Sequence, residues 1–365
     1  MLEKITFKNV GPIESATLDL KKMKYTTRPE MVADKYLYSV FLYGRNGSGK
    51  SSLINGVHQA YALLFGEASH LVPFLPSMLH VSEPSQMSFV FSVADVRYTY
   101  MLSTQFEKAT DSINFIIHEE RLATDEGVIF RRGKDRLEYR GESTDLNPSL
   151  FPTLRELAMV KAVDDTDIKN AYAFFEGFAI STSEGQFCLA NRQRGLLDIA
   201  VEKTVEINRS MKDLGEFPEV KLHKSPEPQS EKPSYFGMLK VNDDFIRLPL
   251  SMVSEGTVKM QTLLAMVSTL KPGSVLFADE IENRLHPLVL PRFMNLLIEK
   301  RIQLVAASHN TSILKRLRPD QVYFAAWKNG ISQFKRLGVI YPNIREINNI
   351  EKMYLSLVFD EGINE

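Results

Sequence analysis

The sequence predicts an α/β fold built around a phosphate-binding loop, and three observations carry that prediction. The apolar run 36–43 (YLYSVFLY) ends at Gly44 and enters Gly44-Arg45-Asn46-Gly47-Ser48-Gly49-Lys50-Ser51, a full G-x-x-x-x-G-K-[ST] match. Helical spacing follows over 51–65 through Leu53, Ile54, Val57, Ala60, Tyr61 and Leu64. A second apolar run, 274–278 (SVLFA), delivers Asp279-Glu280 at its end. Strand and helix patterns then alternate: helix 287–300, strand 302–307, helix 311–317, strand 321–326. That alternation is the mark of a parallel sheet with crossover helices.

The remaining elements follow in chain order. Residues 4–9 and 16–20 alternate apolar and polar, which predicts two strands around the turn Asn9-Val10-Gly11-Pro12. Residues 21–34 are polar. From 87 to 139 the text is strand-like and broken by Gly or Asp/Thr-rich turns, so an antiparallel β subdomain is expected. From 153 to 213 the pattern is helical, with no heptad sustained for more than a few turns. Residues 224–234 hold three prolines and three serines and read as a loop. Strands resume over 235–249 and a helix over 255–270, before the turn Pro272-Gly273. The expected organisation is one α/β head split around an insertion. Its N-terminal lobe is 1–150, its helical insertion or arm with the loop is 151–235, and its C-terminal lobe is 236–365.

Composition excludes several classes. With 44% hydrophobic and 24% charged residues in 365, the chain is neither disordered nor collagen-like. Lys+Arg is 44 against 45 Asp+Glu, a net charge of −1, so a whole-protein basic field for nucleic acid is absent. The local run Arg131-Arg132-Gly133-Lys134-Asp135-Arg136 keeps DNA as a possible partner. The single cysteine, Cys188, forms no internal disulfide and no Cys-rich metal site, and a reducing compartment is expected. The opening residues lack a signal-peptide core and no run of 18 apolar residues occurs. A cytoplasmic protein without a membrane span is expected.

The chemistry concentrates in four elements. In the loop, Gly44 to Ser52 is the expected phosphate cradle, with backbone N–H groups converging at a helix N-terminus. Lys50 is expected to reach the β- and γ-phosphates and the Ser51 hydroxyl to ligate Mg²⁺. Asp279 suits the same Mg²⁺ and Glu280 suits a general base for an attacking water. Ser254 and Gly256 open a further helix and offer a second anion-binding N-terminus. His309, just after QLVAA, is placed to sense a γ-phosphate. Among the other histidines, His286 precedes Pro287 and reads as structural, while His58, His70, His80, His118 and His223 read as ordinary residues. Phe174, Phe175 and Phe178 form either a docking surface or part of the local core.

These four elements, in this order, resemble the ABC-type ATPase heads of the SMC, RecF and OLD group, and the opening ITFKNVGPIESATLDL looks like their first hairpin. SEGTVKMQTLLAMV, VLFADEIENRLHP, QLVAASHNTSIL, RPDQVYF and NIEKMYLSLVF are similar to stand-alone bacterial AAA-family proteins often encoded in phage-defence loci. PFLPS (73–77) and EPSQMSFVF (83–91) share that similarity. The resemblance implies a P-loop NTPase, ABC-type head that takes ATP and Mg²⁺, hydrolyses ATP and forms head-to-tail homodimers. Lys50 and Ser51 then bind phosphate and Mg²⁺, Asp279 supports the metal, Glu280 is the base and His309 the switch. Ser254 and Gly256 act in trans. Two departures stand out. The Gln that couples Mg²⁺ to the lid has no clear counterpart, Gln86 and Gln105 being the candidates. Glu255-Gly256-Thr257 replaces the Gly-Gly-Gln of transporter subunits. The group commonly works with a TOPRIM- or HNH-type nuclease. This sequence shows no nuclease site, so an effector is expected as a partner and the chain as its ATP-driven sensor or scaffold. The alternatives are a RecF-like repair ATPase that binds DNA and a module that holds ATP with negligible turnover, the latter disfavoured by Glu280 and His309.

Overall fold

The structure is a computed structural model. It describes residues 1–66, 82–108, 113–145, 151–160, 164–182, 187–189, 195–215, 217–225, 234–345 and 349–356. His70, His80, the PFLPS segment, most of the Pro/Ser loop and the end of NIEKMYLSLVF lie outside the described residues.

A seven-stranded sheet forms the centre. Its order is Phe187–Leu189, Phe178–Ser181, Val275–Asp279, Gln303–Ala307, Ser39–Gly44, Val322–Lys328 and Ile331–Arg336. The five inner strands run parallel and the two edge strands antiparallel. The inner strands are continuous apolar runs because both faces are covered. Val40, Leu42, Val275, Phe277, Val305 and Ala307 pack into one core with helix Lys50–Phe65 and the antiparallel sheet. Their alternates Phe41, Tyr43, Leu276, Ala278, Leu304 and Ala306 pack into a second core with helices Glu255–Val267 and Val289–Glu299. The fold class is the predicted one, an α/β P-loop fold with an antiparallel β subdomain.

That subdomain is a single eight-stranded antiparallel sheet from Leu2–Val10 to Glu142–Asp145. One side chain that ties it to the central sheet is Gln303. The Gln303 amide accepts from Leu2 N at 2.6 Å and donates to the carbonyls of Leu2 and Leu37, each at 3.0 Å. A second tie uses the polar stretch after the first hairpin. Arg318 and Asp320 form a buried ion pair at 2.9 Å, Arg318 donates to the carbonyls of Tyr25 and Thr27, and Asp320 accepts from Met23 N.

The segment 153–213 differs from a purely helical reading. Helix Thr166–Glu176 stops at Gly177, and Phe178–Ser181 becomes a strand paired in parallel with Val275–Asp279. At Gly177 a Cβ would lie 2.9 Å from Ser274 Oγ and 3.2 Å from the Phe174 carbonyl oxygen, so the missing side chain eases the close approach to the neighbouring strand. Within its second half the helical text forms two helices, Leu196–Glu202 and Thr204–Leu214, broken at Lys203. Phe174, Phe175 and Phe178 are core. Phe174 stacks on Phe91 with centroids 4.0 Å apart, and Phe175 is 1% exposed against Phe89, Tyr100 and Phe178. The docking-surface reading of these rings is thereby overturned. The region 311–317 is a 3₁₀ segment, Thr311–Arg316, rather than an α-helix. No described helix is long and apolar enough to cross a membrane.

Truncating such a ring leaves a void that the packed core fills only in part. Phe175→Ala should cost about 3–5 kcal/mol of unfolding free energy in urea denaturation, whereas a docking residue would lose almost none.

Candidate active site

Parallel pairing sets the site. Asp279 lies opposite Ala307, and Ala307 opposite Leu42, so the carboxyl ends of the three strands share one edge of the sheet. The phosphate loop, the acids and Ser308-His309 therefore come together there. One strand separates Ser39–Gly44 from Val275–Asp279, which spaces them by about 10 Å.

The loop owes its shape to two tight approaches. Gly44 and Gly49 have φ of 155° and 95°. A Cβ on Gly44 would lie 2.2 Å from the Ala325 carbonyl oxygen, and one on Gly49 would lie 2.1 Å from Ser332 Oγ. Helix Lys50–Phe65 starts without a side-chain cap, so the N–H groups of its first turn remain for a ligand. Arg45, Asn46 and Gly47 are exposed at the tip, and Ser51 and Ser52 sit in the first helical turn. Lys50 is buried, and its Nζ donates to the carbonyls of Gly44 and Arg45, both at 2.9 Å. Burial depresses the Lys50 pKa, while the charges of Asp279, Glu280 and Glu282 work against that shift.

Four buried oxygens of the described residues near this edge lack partners, Glu282 Oε2 and Ser332 Oγ among them. Ser48 Oγ and Asp279 Oδ1 belong to residues only 2% exposed, and neither has a hydrogen bond. An orphaned carboxylate oxygen is costly without a cation or donor. This donor set fits a triphosphate with Mg²⁺, which takes one or two carboxylates and completes its shell with phosphate and water oxygens. No cluster of three or more His, Cys, Asp or Glu suited to a metal occurs among the described residues.

Glu280 sits in the left-handed region at φ 47°, a strained conformation for a side chain of its size. Its N–H donates to Ala307 O at 3.1 Å, and its carbonyl accepts from Asn283 N at 2.9 Å. Lys259 Nζ donates to the carbonyls of Glu280 at 3.1 Å and Asn283 at 2.8 Å. Burial pushes the Lys259 pKa down to about 8. Ser254 caps helix Glu255–Val267 by accepting from Thr257 N at 3.2 Å. Gly256 packs on the acid turn, where a Cβ would meet the Arg284 carbonyl oxygen at 2.5 Å. Glu255 pairs with Arg284 at 3.2 Å.

Sequence reasoning missed two residues here. Lys259 is one. Glu282 is the other: its Oε1 accepts from the backbone N–H groups of His309 and, at 3.2 Å, Asn310. Tyr43 Oη donates to Asn310 O at 2.9 Å and steadies the same turn. The His309 side chain is exposed on that turn. The only available signal for Glu282 was its place two residues after the acid pair. The glutamine candidates lie in the antiparallel sheet, Gln86 bonded to Ser88 and Gln105 to Ser82 O. In the basic run, Arg131 pairs with Glu119, and Arg132 is buried and bonded to Phe151 O.

Residues 191–315, about a third of the chain, match a family model described as "AAA domain, putative AbiEii toxin, Type IV TA system". That span holds Ser254, Gly256, Asp279, Glu280 and His309 but not the phosphate loop. No curated protein matches the chain by sequence. Similar solved structures include the SMC head domain from Thermotoga maritima, 15% identical with TM-score 0.44 over 92% of this chain and 98% of that one. An SMC head bound to the C-terminal winged-helix domain of ScpA is 12% identical with TM-score 0.47 over 92% and 96%. The Smc head with an extended coiled coil, bound to the C-terminal domain of ScpA from Pyrococcus furiosus, is 11% identical with TM-score 0.46 over 99% of each chain.

Lys259 makes stability depend on pH. Its folded pKa is depressed, so between about pH 8 and the ordinary lysine range the unfolded chain binds more protons than the folded one. Unfolding free energy should rise with pH through that window, and urea midpoints at about pH 7.5 and about pH 9.5 should show a smaller rise in Lys259→Met.

Proposed function

We propose that the chain binds ATP with Mg²⁺ at residues 44–52 and hydrolyses it. The observation that carries this reading is a set of buried, unpartnered oxygens, Ser48 Oγ and Asp279 Oδ1 among them, at the sheet edge that also holds Lys50. The loop's N–H groups and the helix N-terminus receive the phosphates. Lys50 has a third ammonium proton beyond the two given to carbonyls, and directs it at the β- and γ-phosphates. Ser51 and Asp279 hold Mg²⁺, which supplies charge neutralisation at the phosphate oxygens when bound. Glu280 accepts the proton of the attacking water, and His309 reads the γ-phosphate.

Ser254, Gly256 and the helix they open serve a second copy's phosphates, giving a head-to-tail dimer. Support comes from the tie between that helix and its own acid turn through Lys259, Gly256 and the Glu255–Arg284 pair. A helix pulled onto a partner's nucleotide thereby shifts its own Glu280.

In the cell the chain acts as a nucleotide-driven sensor or scaffold for a separate effector, a nuclease or other toxin, in anti-phage defence. The resemblance of its motifs to stand-alone defence ATPases supports this, as does the toxin–antitoxin description of the matched family model. DNA is the weaker partner, because Arg131 is paired and Arg132 buried in the run that suggested it.

Steady-state phosphate release and light scattering test the proposal. Glu280→Gln should lose roughly 10²- to 10⁴-fold in turnover while retaining ATP binding and forming an ATP-dependent dimer. Lys50→Ala should bind no ATP. Wild-type turnover no faster than that of Glu280→Gln would remove Glu280 from the role of base, and a size unchanged by ATP would remove the dimer. Glu282→Ala frees the turn that carries His309, so kcat should fall roughly tenfold or more with little change in KM. Glu282→Gln keeps an acceptor oxygen and should recover part of that loss.

A further inference from the structure

The edge of the central sheet beside the phosphate loop is a hairpin whose first strand follows RPDQ and whose second, Ile331–Arg336, carries none of the four chemical elements. Strands Val322–Lys328 and Ile331–Arg336 pair antiparallel, and the first of them runs parallel to Ser39–Gly44 with Ala325 opposite Gly44. The hairpin touches the loop at both ends: the Ala325 carbonyl closes on Gly44, and Ser332 Oγ on Gly49. Ser332 N also donates to Pro12 O at 2.8 Å, which brings the first β-turn to the same place.

Trp327, the one tryptophan in the sequence, lies directly opposite Ser332 in this hairpin. Side chains of a directly opposed pair leave on the same face, with Cβ atoms about 5 Å apart. Ser332 faces Gly49, the residue that starts the phosphate-binding helix, so the indole leaves on the phosphate-loop side. The ring is nonetheless 53% exposed. The residues that follow it in the turn, Lys328, Asn329 and Gly330, are polar or small. A large exposed ring on the side of a triphosphate cradle has a chemical complement: a planar base attached to those phosphates.

We propose that Trp327 is the platform on which the base of the bound nucleotide stacks. This assignment rests on the reading of residues 44–52 as a nucleotide site. The phosphate loop recognises only the triphosphate, and the indole adds the contact that favours a nucleotide over a bare polyphosphate.

Inorganic tripolyphosphate, which lacks a base, separates the two contributions. The full chain is titrated with MgATP and with magnesium tripolyphosphate, following the intrinsic fluorescence of its single tryptophan, with affinities taken by calorimetry. ATP should quench the emission and tripolyphosphate should not. Trp327→Ala should weaken ATP binding roughly 5- to 150-fold and leave tripolyphosphate affinity unchanged. Trp327→Phe, which keeps a π face, should restore most of the loss. ATP affinity equal in wild type and Trp327→Ala, or an equal loss for both ligands, overturns the assignment. If wild type and Lys50→Ala bind ATP equally poorly, the nucleotide-site reading falls and the stacking platform with it. Lys50-dependent binding indifferent to Trp327 overturns the platform alone.

Discussion

The strand Ser39–Gly44 is buried along its whole length, with apolar cores on both faces and a parallel strand on either side. Polar chemistry cannot be placed along such a strand, because each unpaired group there would cost a lost hydrogen bond. It has to collect where the strand ends. The neighbouring strands obey the same constraint, so Asp279, Ser308 and the glycine loop emerge together. The site is thus a by-product of how the centre is packed, and its spacing is set by inter-strand distances rather than by any local motif.

Around that edge the chain builds links rather than isolated groups. The acid turn after Asp279 is held from one side by Lys259, which caps two of its carbonyls, and from the other by Glu282, which holds the turn carrying His309. Glu280 itself is kept in a left-handed conformation. The backbone that carries its carboxylate is thereby held in one conformation by hydrogen bonds to Ala307 and Asn283. The helix opened by Ser254 is part of the same assembly, since Gly256 lets it rest on the Arg284 carbonyl.

Much of this was legible in the sequence. The phosphate loop, the paired acids and His309 announce themselves by residue type and by the apolar runs that precede them. Those signals are local, and the structure adds their common edge. The strand Phe178–Ser181 was read as helix because FFEGFAI has no period of its own. Its pairing with Val275–Asp279, almost a hundred residues away, decides the matter. Lys259 and Glu282 escaped for a related reason: each acts on a backbone brought near only by the fold, and a lysine or glutamate in such text looks like an ordinary surface residue. The basic run shows the opposite limit of sequence reading. Arg132 alternates inward on its strand and is spent on Phe151 O, which a count of charges cannot reveal.

The Gln303 weld has a consequence for how the molecule comes into being. Its amide completes hydrogen bonds to Leu2 and Leu37, so the first strand of the chain is finished by a side chain some three hundred residues later. Both neighbours of Ser39–Gly44 also come from beyond residue 300. On the ribosome, the antiparallel sheet can close early from adjacent strands, but the phosphate-loop strand stays without a partner until nearly the whole chain is out. Such long-range closure is slow, and the waiting strand is an apolar edge prone to wrong pairing. The nascent chain therefore needs shielding longest at Ser39–Gly44. In a truncated product ending before Gln303, Ser39–Gly44 lacks both of its neighbouring strands.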